Sequence, residues 1–182
     1  TFTGVDDVHF VACGTSYHAA LYARRLLVDD GISAYVHRAG EFATSPHPVS
    51  PDSLVIAVTQ SGETADTLQT IRRAREAGSR TLAVTNVVGS TAARECDDAL
   101  FIRAGPEIGV AATKTFSSQV ATLALLRERL VEDMTGSPRD GAAETGSALL
   151  SLPDDVATVV DQAEEVSSLV DRFRDRDGYF FI

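Results

Sequence analysis

Short apolar runs alternate with helical patterns along most of the chain, and this alternation limits the possible folds more than any other feature. A run such as LVIAV, which is apolar at every position, is typical of a strand buried on both faces of a sheet. Strands that alternate with helices favour a parallel sheet covered by helices on both sides. We therefore predict an α/β fold: a three-layer αβα sandwich with a five-stranded parallel sheet in the flavodoxin-like order 2-1-3-4-5. The predicted strands are residues 8–12, 34–36, 54–58, 81–85 and 99–102.

The C-terminal quarter of the chain has a different pattern. We assign residues 1–135 to the core domain and residues 136–182 to a helical extension and linker. Helical spacing returns at 142–150 and at 155–174, on either side of Pro153. The last residues read GYFFI, which resembles the first strand of a second domain, absent from this chain. The alternative is one more strand at the edge of the first sheet.

Composition excludes several classes of partner. A net charge of −10 argues against binding to nucleic acid or to an anionic membrane surface, although it allows a small anionic ligand held by backbone N–H groups. No apolar stretch approaches membrane-spanning length. Cys13 and Cys96 are far apart, and no cysteine or histidine has metal-site spacing. We therefore expect a reduced, cytoplasmic location and neither a metal nor a cofactor.

Two turns rich in hydroxyl groups follow the first and third predicted strands. They read CGTS, residues 13–16, and TQSGET, residues 59–64. In the order 2-1-3-4-5 the sheet reverses between these strands, so both turns should open into the same crevice. Free N–H groups at helix N-termini favour an anion there, and a phosphate monoester fits because its oxygens only accept hydrogen bonds.

The alternative for each turn is that its hydroxyl groups only cap the helix that follows. Glu63 would repel a phosphate, so we expect it to turn away or to accept backbone N–H bonds, and we assign it no catalytic role. His18, one turn into the first helix, is interpreted as a packing residue. Lys114, the only lysine, is predicted in the first turn of a helix, where the helix dipole disfavours a cation. It either meets an acidic partner or is simply solvated.

Three segments of the chain also carry a resemblance to a known family. The stretches ACGTSYHA, TQSGETADTL and EIGVAATKTF, in this order, resemble the first sugar isomerase (SIS) domain of isomerising glutamine–fructose-6-phosphate aminotransferases. The resemblance implies a ligand of the hexose 6-phosphate class, either fructose 6-phosphate or glucosamine 6-phosphate. It implies that the sugar lies against Val110 and Ala112, where Ala112 replaces the family's usual serine. The implied phosphate ligands are Thr15, Ser16, Gln60, Ser61 and Thr64. Thr59 is also counted as substrate-binding, since it stands where the family often has serine and keeps the hydroxyl group.

The same resemblance places the chemistry of the parent enzyme elsewhere. In the family, the acid/base glutamate, the ring-opening histidine and the lysine that reacts with the ketose lie beyond the first SIS domain, so no catalytic residue is assigned here. Lys114 and Cys13 do not match the family's reactive lysine and cysteine. SIS domains usually pair, which implies a homodimer. The alternatives are a free-standing SIS module that senses a phosphosugar, and a related sugar-phosphate isomerase or deglycase.

Overall fold

The computed structural model describes residues 1–44, 49–109 and 111–179. Its sheet has five strands, all parallel, in the order β2-β1-β3-β4-β5. The predicted fold class and strand order are therefore confirmed. The strands are β1 Asp7–Ala12, β2 Ser33–Arg38, β3 Ser53–Val58, β4 Arg80–Thr85 and β5 Asp98–Phe101.

Helices cover both faces of this sheet, and each face has its own core. One core lies under the helices at 15–29 and 114–135 and includes Phe10, Leu27 and Leu123. The other lies under the helices at 39–44, 65–76 and 91–95 and includes Phe42 and Ile71. Strand β3 is buried at every position because it is central and covered on both sides. The helices of this sandwich are α1 Thr15–Asp29, α2 Ala39–Thr44, α3 Ala65–Glu76, α4 Thr91–Glu95 and α5 Lys114–Thr135.

The chain divides into two compact units, Thr1–Ala142 and Ala143–Ile182. Beyond α5 the helices are α6 Ala142–Asp161 and α7 Ala163–Val170. The predicted break after residue 150 is wrong, since α6 continues through Pro153. Proline removes one N–H, here the donor that would reach the Leu149 carbonyl, and that loss did not end the helix. The predicted end of the last helix near residue 174 is also wrong, because α7 ends at Val170.

The predicted C-terminal strand falls largely outside the described residues, at 180–182. Gly178 and Tyr179, which are described, belong to no strand. Within residues 1–44, 49–109 and 111–179, no helix has the length and apolarity needed to cross a bilayer.

The register of β1 against β3 decides where the hydroxyl-rich turns lie. These two strands are parallel neighbours, and their last residues, Ala12 and Val58, are paired. Both strands therefore end at the same level of the sheet. The turns that follow, at 13–14 and 59–64, begin side by side at the carboxyl edge, where the strand order reverses.

The β3–α3 turn is attached to the β4–α4 turn beside it. The carboxylate of Glu63 accepts a hydrogen bond from the backbone N–H of Thr91, which also holds the pKa of Glu63 below its usual value. Glu63 thus accepts a backbone N–H, which is one of the two outcomes expected of it. Backbone bonds from Asn86 to Gln60 and from Ala92 to Gly62 complete the attachment, at 3.1 and 3.0 Å.

Gly62 is the residue that lets these two turns approach closely. Its φ of +70° lies in the left-handed region, which side chains other than glycine rarely adopt. A Cβ atom at this position would overlap the Ser90 side chain and would lie 3.1 Å from the Thr85 hydroxyl. Gly62 is therefore required for two reasons: its φ is positive, and a side chain at this position would overlap Ser90.

Replacing Gly62 by alanine should lower the free energy of unfolding by at least about 2 kcal/mol, since left-handed strain and overpacking add. Gly89→Ala is the matched control, because Gly89 has a φ of +79° and, among the described residues, no neighbouring atom lies within 4 Å of the place that a Cβ atom would take. The control should lose only the conformational part, about 1 kcal/mol. Urea unfolding of both variants measures the difference. Equal losses would show that the contact with Ser90 does not matter.

Candidate functional site

One pocket of about 420 Å³ lies at the carboxyl edge of the sheet, over the ends of β1 and β3. Three segments of the chain enclose it: the β1–α1 turn, the β3–α3 turn with the first residues of α3, and the segment that leads into α5. Its lining comprises Cys13, Gly14, Thr15, Ser16, Val58, Thr59, Gln60, Ser61, Thr64, Thr67, Glu107, Gly109, Ala111, Ala112 and Thr115.

The structure brings the predicted binding residues together in this pocket. Thr15 and Ser16 come from the start of α1, and Ala112 comes from the segment before α5. The β3–α3 turn contributes Thr59, Gln60, Ser61 and Thr64. Val110, which was also predicted, lies outside the described residues. Sequence reasoning missed Cys13, Thr67, Glu107 and Thr115, which line the same pocket.

Two of the helices that begin at the pocket, α1 and α3, have no side-chain caps. Gly14 precedes α1, and Thr64 precedes α3 without making a side-chain hydrogen bond to the helix. In the part of the chain that the structure describes, no acceptor meets the backbone N–H groups of residues 64–67. Capping therefore does not account for the Thr64 hydroxyl, and the positive end of α3 is open toward the pocket.

Three hydroxyl groups in the lining accept hydrogen bonds from the protein. Thr59 Oγ1 accepts from the Gly62 N–H and Ser61 Oγ accepts from the Glu63 N–H, both at 3.2 Å. Ser16 Oγ accepts from Nε2 of Gln119 at 3.0 Å. A hydroxyl that accepts one bond still carries its own proton, so each of the three retains a donor.

Glu107 is the only charged residue in the described lining, and it closes the N-terminus of α5. Its carboxylate accepts four hydrogen bonds, from the backbone N–H and the hydroxyl group of both Thr113 and Thr115, at 2.6–3.1 Å. The bond from the Thr115 hydroxyl, followed by the bond from the Thr113 N–H, lowers the pKa of Glu107 to about 2. An acid just before a helix start was the available sequence signal.

This arrangement leaves α1 and α3 as the helix N-termini that are open to a bound anion. The α5 N-terminus already holds the Glu107 carboxylate, which would repel a second negative charge. Lys and Arg are absent from the described lining, so attraction for an anion rests on N–H and hydroxyl donors. The charge of the pocket lining is therefore distributed unevenly. Hydrogen-bond donors lie where β1 and β3 end, and the Glu107 carboxylate lies at the segment that leads into α5.

Lys114 and His18 lie outside this lining. Lys114 is exposed, and no ion pair involving it occurs within residues 1–44, 49–109 and 111–179. This favours the solvated alternative. The acidic residue at the start of α5, Glu107, accepts hydrogen bonds from Thr113 and Thr115. His18 is exposed and packs edge-on against Tyr17, away from the pocket.

The described residues form no cluster of metal ligands, and one of the two cysteines is deeply buried. The described residues contain no group of three or more His, Cys, Asp or Glu side chains arranged to hold a metal ion. Cys96 is buried, and burial raises the pKa of its thiol to about 12, which keeps it protonated at neutral pH.

An open parallel sheet with a pocket at its switch point is the arrangement of the α/β domains in which ligands lie beyond the strand ends. Residues 2–129 match the family model described as SIS domain, and the chain belongs to this family. The resemblance inferred from the three sequence motifs is thus confirmed.

The chain is similar to isomerising glutamine–fructose-6-phosphate aminotransferases. It is 49% identical to that of Halobacterium salinarum over 100% of this chain and 40% identical to that of Thermococcus kodakarensis over 97%. In both cases the chain spans only 30% of the relative's length. Among solved structures, the C-terminal domain of glucosamine-fructose-6-phosphate aminotransferase from Francisella tularensis matches with a TM-score of 0.90 and 30% identity, over 97% of this chain and 50% of that one.

Glu107→Gln should destabilise the protein at neutral pH, because the neutral amide is a weaker acceptor and does not complement the α5 dipole. The carboxylate has a folded-state pKa of about 2 and an ordinary value of 4.5, so its stabilisation is complete above pH 4.5 and is lost as the pH falls toward 2. The difference in unfolding free energy between wild type and Glu107→Gln should therefore shrink as the pH is lowered through this range. Urea unfolding at a series of pH values measures it.

The matched control is Glu76→Gln, a change at an exposed glutamate of α3 that makes no side-chain hydrogen bond within the described residues. Its difference from wild type should stay small at every pH. A difference for Glu107→Gln that is constant from neutral to acidic pH would contradict the role given to the carboxylate.

Proposed function

We propose that this chain is a sugar-phosphate-binding SIS domain that forms the first half of the isomerase part of a glutamine–fructose-6-phosphate aminotransferase. The observation that carries the proposal is the pocket itself, where uncapped helix N-termini and hydroxyl groups from two adjacent strand ends face one cavity. Such a set of donors suits a phosphate group without help from basic side chains. A cavity of about 420 Å³ also falls within the range of sites for small organic ligands.

The uneven distribution of charge suggests how the ligand lies. Its phosphate would meet the donors of Thr15, Ser16, Ser61 and Thr64, together with Thr59 and Gln60, since these surround the open starts of α1 and α3. Its uncharged sugar would then lie toward the segment before α5, where Glu107 disfavours a second negative group. Ala112 and, by resemblance, Val110 would contact the sugar. Because Ala112 lacks a hydroxyl group, this position would contribute packing and no hydrogen bond.

The whole reaction would require more protein than this chain provides. The curated relatives are more than three times as long, and the resemblance places the acid/base, ring-opening and ketose-binding residues beyond the first SIS domain. We propose that residues 136–182 lead to a second SIS domain and that SIS domains pair in a homodimer. The parent enzyme would convert fructose 6-phosphate and glutamine to glucosamine 6-phosphate and glutamate. Free Cys13 and Cys96 support a reducing, cytoplasmic setting.

Ser61→Ala and Thr64→Val should each weaken the binding of fructose 6-phosphate by about tenfold or more, since each removes a hydrogen bond to a charged group. Isothermal titration of the 182-residue chain with fructose 6-phosphate and glucose 6-phosphate measures the loss. The same two variants should weaken both sugars together, because the substitutions act on the phosphate that the sugars share.

Thr122→Val is the matched control, because Thr122 lies on α5 outside the pocket. It should bind both sugars as the wild type does. Equal affinity in wild type, Ser61→Ala and Thr64→Val would reject the phosphate site. The chain by itself should show no isomerase turnover, and measurable turnover would place catalytic groups within it.

A further inference from the structure

A buried glutamine lies next to the pocket and does not line it. Gln119, on α5, is only 1% exposed. It shares the buried stripe of α5 with apolar residues such as Leu123 and Leu130, both of which belong to the core under α1. A carboxamide buried in such a place costs free energy unless its hydrogen bonds are made. A leucine or methionine would fill the same space without that cost, so the amide requires a specific explanation.

Its partner is a residue of the proposed phosphate site. Nε2 of Gln119 donates to Ser16 Oγ at 3.0 Å, in a bond that connects α5 to the second residue of α1. Ser16 is 8% exposed, and it lines the pocket. The residues that the structure describes offer the Ser16 hydroxyl no other hydrogen bond. The remaining hydrogen-bonding capacity of Ser16 therefore belongs to the pocket.

The direction of this bond decides what Ser16 can offer a ligand. An amide NH₂ group can only donate, so the serine oxygen must accept and its own proton is left over. A hydroxyl that accepts one hydrogen bond is also polarised into a stronger donor. With one lone pair of Ser16 occupied by Gln119, the hydroxyl keeps its own proton, and this proton is available as a donor to a ligand in the pocket.

The contact between the two helices does not depend on this amide. Further along, Arg127 of α5 binds Asp30, at the end of α1, through two hydrogen bonds, and both side chains are largely buried. Apolar residues of both helices, Leu27 and Leu123 among them, share one core. These interactions hold α5 against α1, so the Gln119 amide is not needed for that purpose.

The same polarity recurs in the neighbouring turn. Thr59 and Ser61 each accept a hydrogen bond from a backbone N–H of their own turn, so each keeps its hydroxyl proton. A ligand that meets these hydroxyl groups and Ser16 therefore finds three protons without an acceptor among the described residues, and acceptor atoms of the ligand satisfy them. Every non-ester oxygen of an ionised phosphate is an acceptor, whereas a sugar hydroxyl also carries a proton that needs its own acceptor.

We propose that Gln119 is a positioning residue that fixes the Ser16 hydroxyl as a hydrogen-bond donor to the phosphate of the bound sugar. This inference rests on the proposed function and adds a residue that touches no ligand. It makes the pocket selective for a ligand end that only accepts hydrogen bonds. A glutamine at this position orients Ser16, whereas a leucine or methionine would make the contact between α5 and α1 fully apolar.

The test is a double-mutant cycle between Gln119→Met and Ser16→Ala in the 182-residue chain. Methionine keeps the shape of glutamine and removes its hydrogen bond. Ser16→Ala should weaken binding of fructose 6-phosphate and of inorganic phosphate by about tenfold or more, and Gln119→Met should weaken both by about threefold to tenfold. In the Ser16→Ala background, Gln119→Met should have no further effect on affinity.

Thermal unfolding separates this role from a structural one. Gln119→Met should leave Tm unchanged or raise it, because an apolar side chain replaces a buried amide, and it should raise Tm in the Ser16→Ala background, where the amide is unpaired. Gln119→Leu provides a second apolar variant. Gln69→Met, at an exposed glutamine of α3, is the control and should change neither affinity nor Tm appreciably.

The outcomes distinguish this inference from the proposed function. If the wild type binds fructose 6-phosphate and the Gln119 variants bind it equally well, the inference is wrong and the proposed function stands. A lower Tm with unchanged affinity would likewise assign Gln119 to the fold alone. Equal losses in both backgrounds would show that Gln119 acts independently of Ser16. If the wild type binds neither fructose 6-phosphate nor inorganic phosphate, both the function and the inference are wrong.

Discussion

The in-register pairing of β1 with β3 is the interaction on which the site depends. Because the two strands are parallel and end together at Ala12 and Val58, the turns that follow them leave the sheet at the same place. Each turn leads directly into a helix, so two positive helix ends face one pocket. A slip of one residue would turn every side chain of one strand to the opposite face and would separate the turns.

The rest of the molecule keeps these turns in place and leaves their donors free. Two interactions hold the β3–α3 turn in place: the close approach of Gly62 to Ser90, and the hydrogen bond from the Thr91 N–H to the Glu63 carboxylate. The hydrogen bond from Gln119 to Ser16 holds the start of α1, which follows the β1–α1 turn. In each case the protein supplies a donor or a contact, and the hydroxyl protons remain available. Rigidity obtained in this way lowers the ordering cost when a ligand binds.

The described lining of the pocket contains one charged residue, Glu107, although the protein as a whole is strongly acidic, with a net charge of −10. An anion can still be bound because local dipoles act over short distances, while solvent screens the net charge over roughly 10 Å. Glu107 contributes to this by occupying the α5 N-terminus, which leaves α1 and α3 as the open helix ends. Two carboxylates near the pocket, Glu63 and Glu107, are therefore each held by backbone N–H groups at a neighbouring helix start.

The sequence by itself determined the fold class, the strand order and the two hydroxyl-rich turns, because strand and helix periodicity and the glycine-containing loops are local properties. It also led to the SIS family through three short motifs. The tertiary structure decided what each polar residue does. Gln119 meets Ser16 from 103 positions away, and the Thr91 N–H meets Glu63 from 28 positions away. Such contacts depend on packing between distant segments, and no local pattern in the sequence records which side chains will meet.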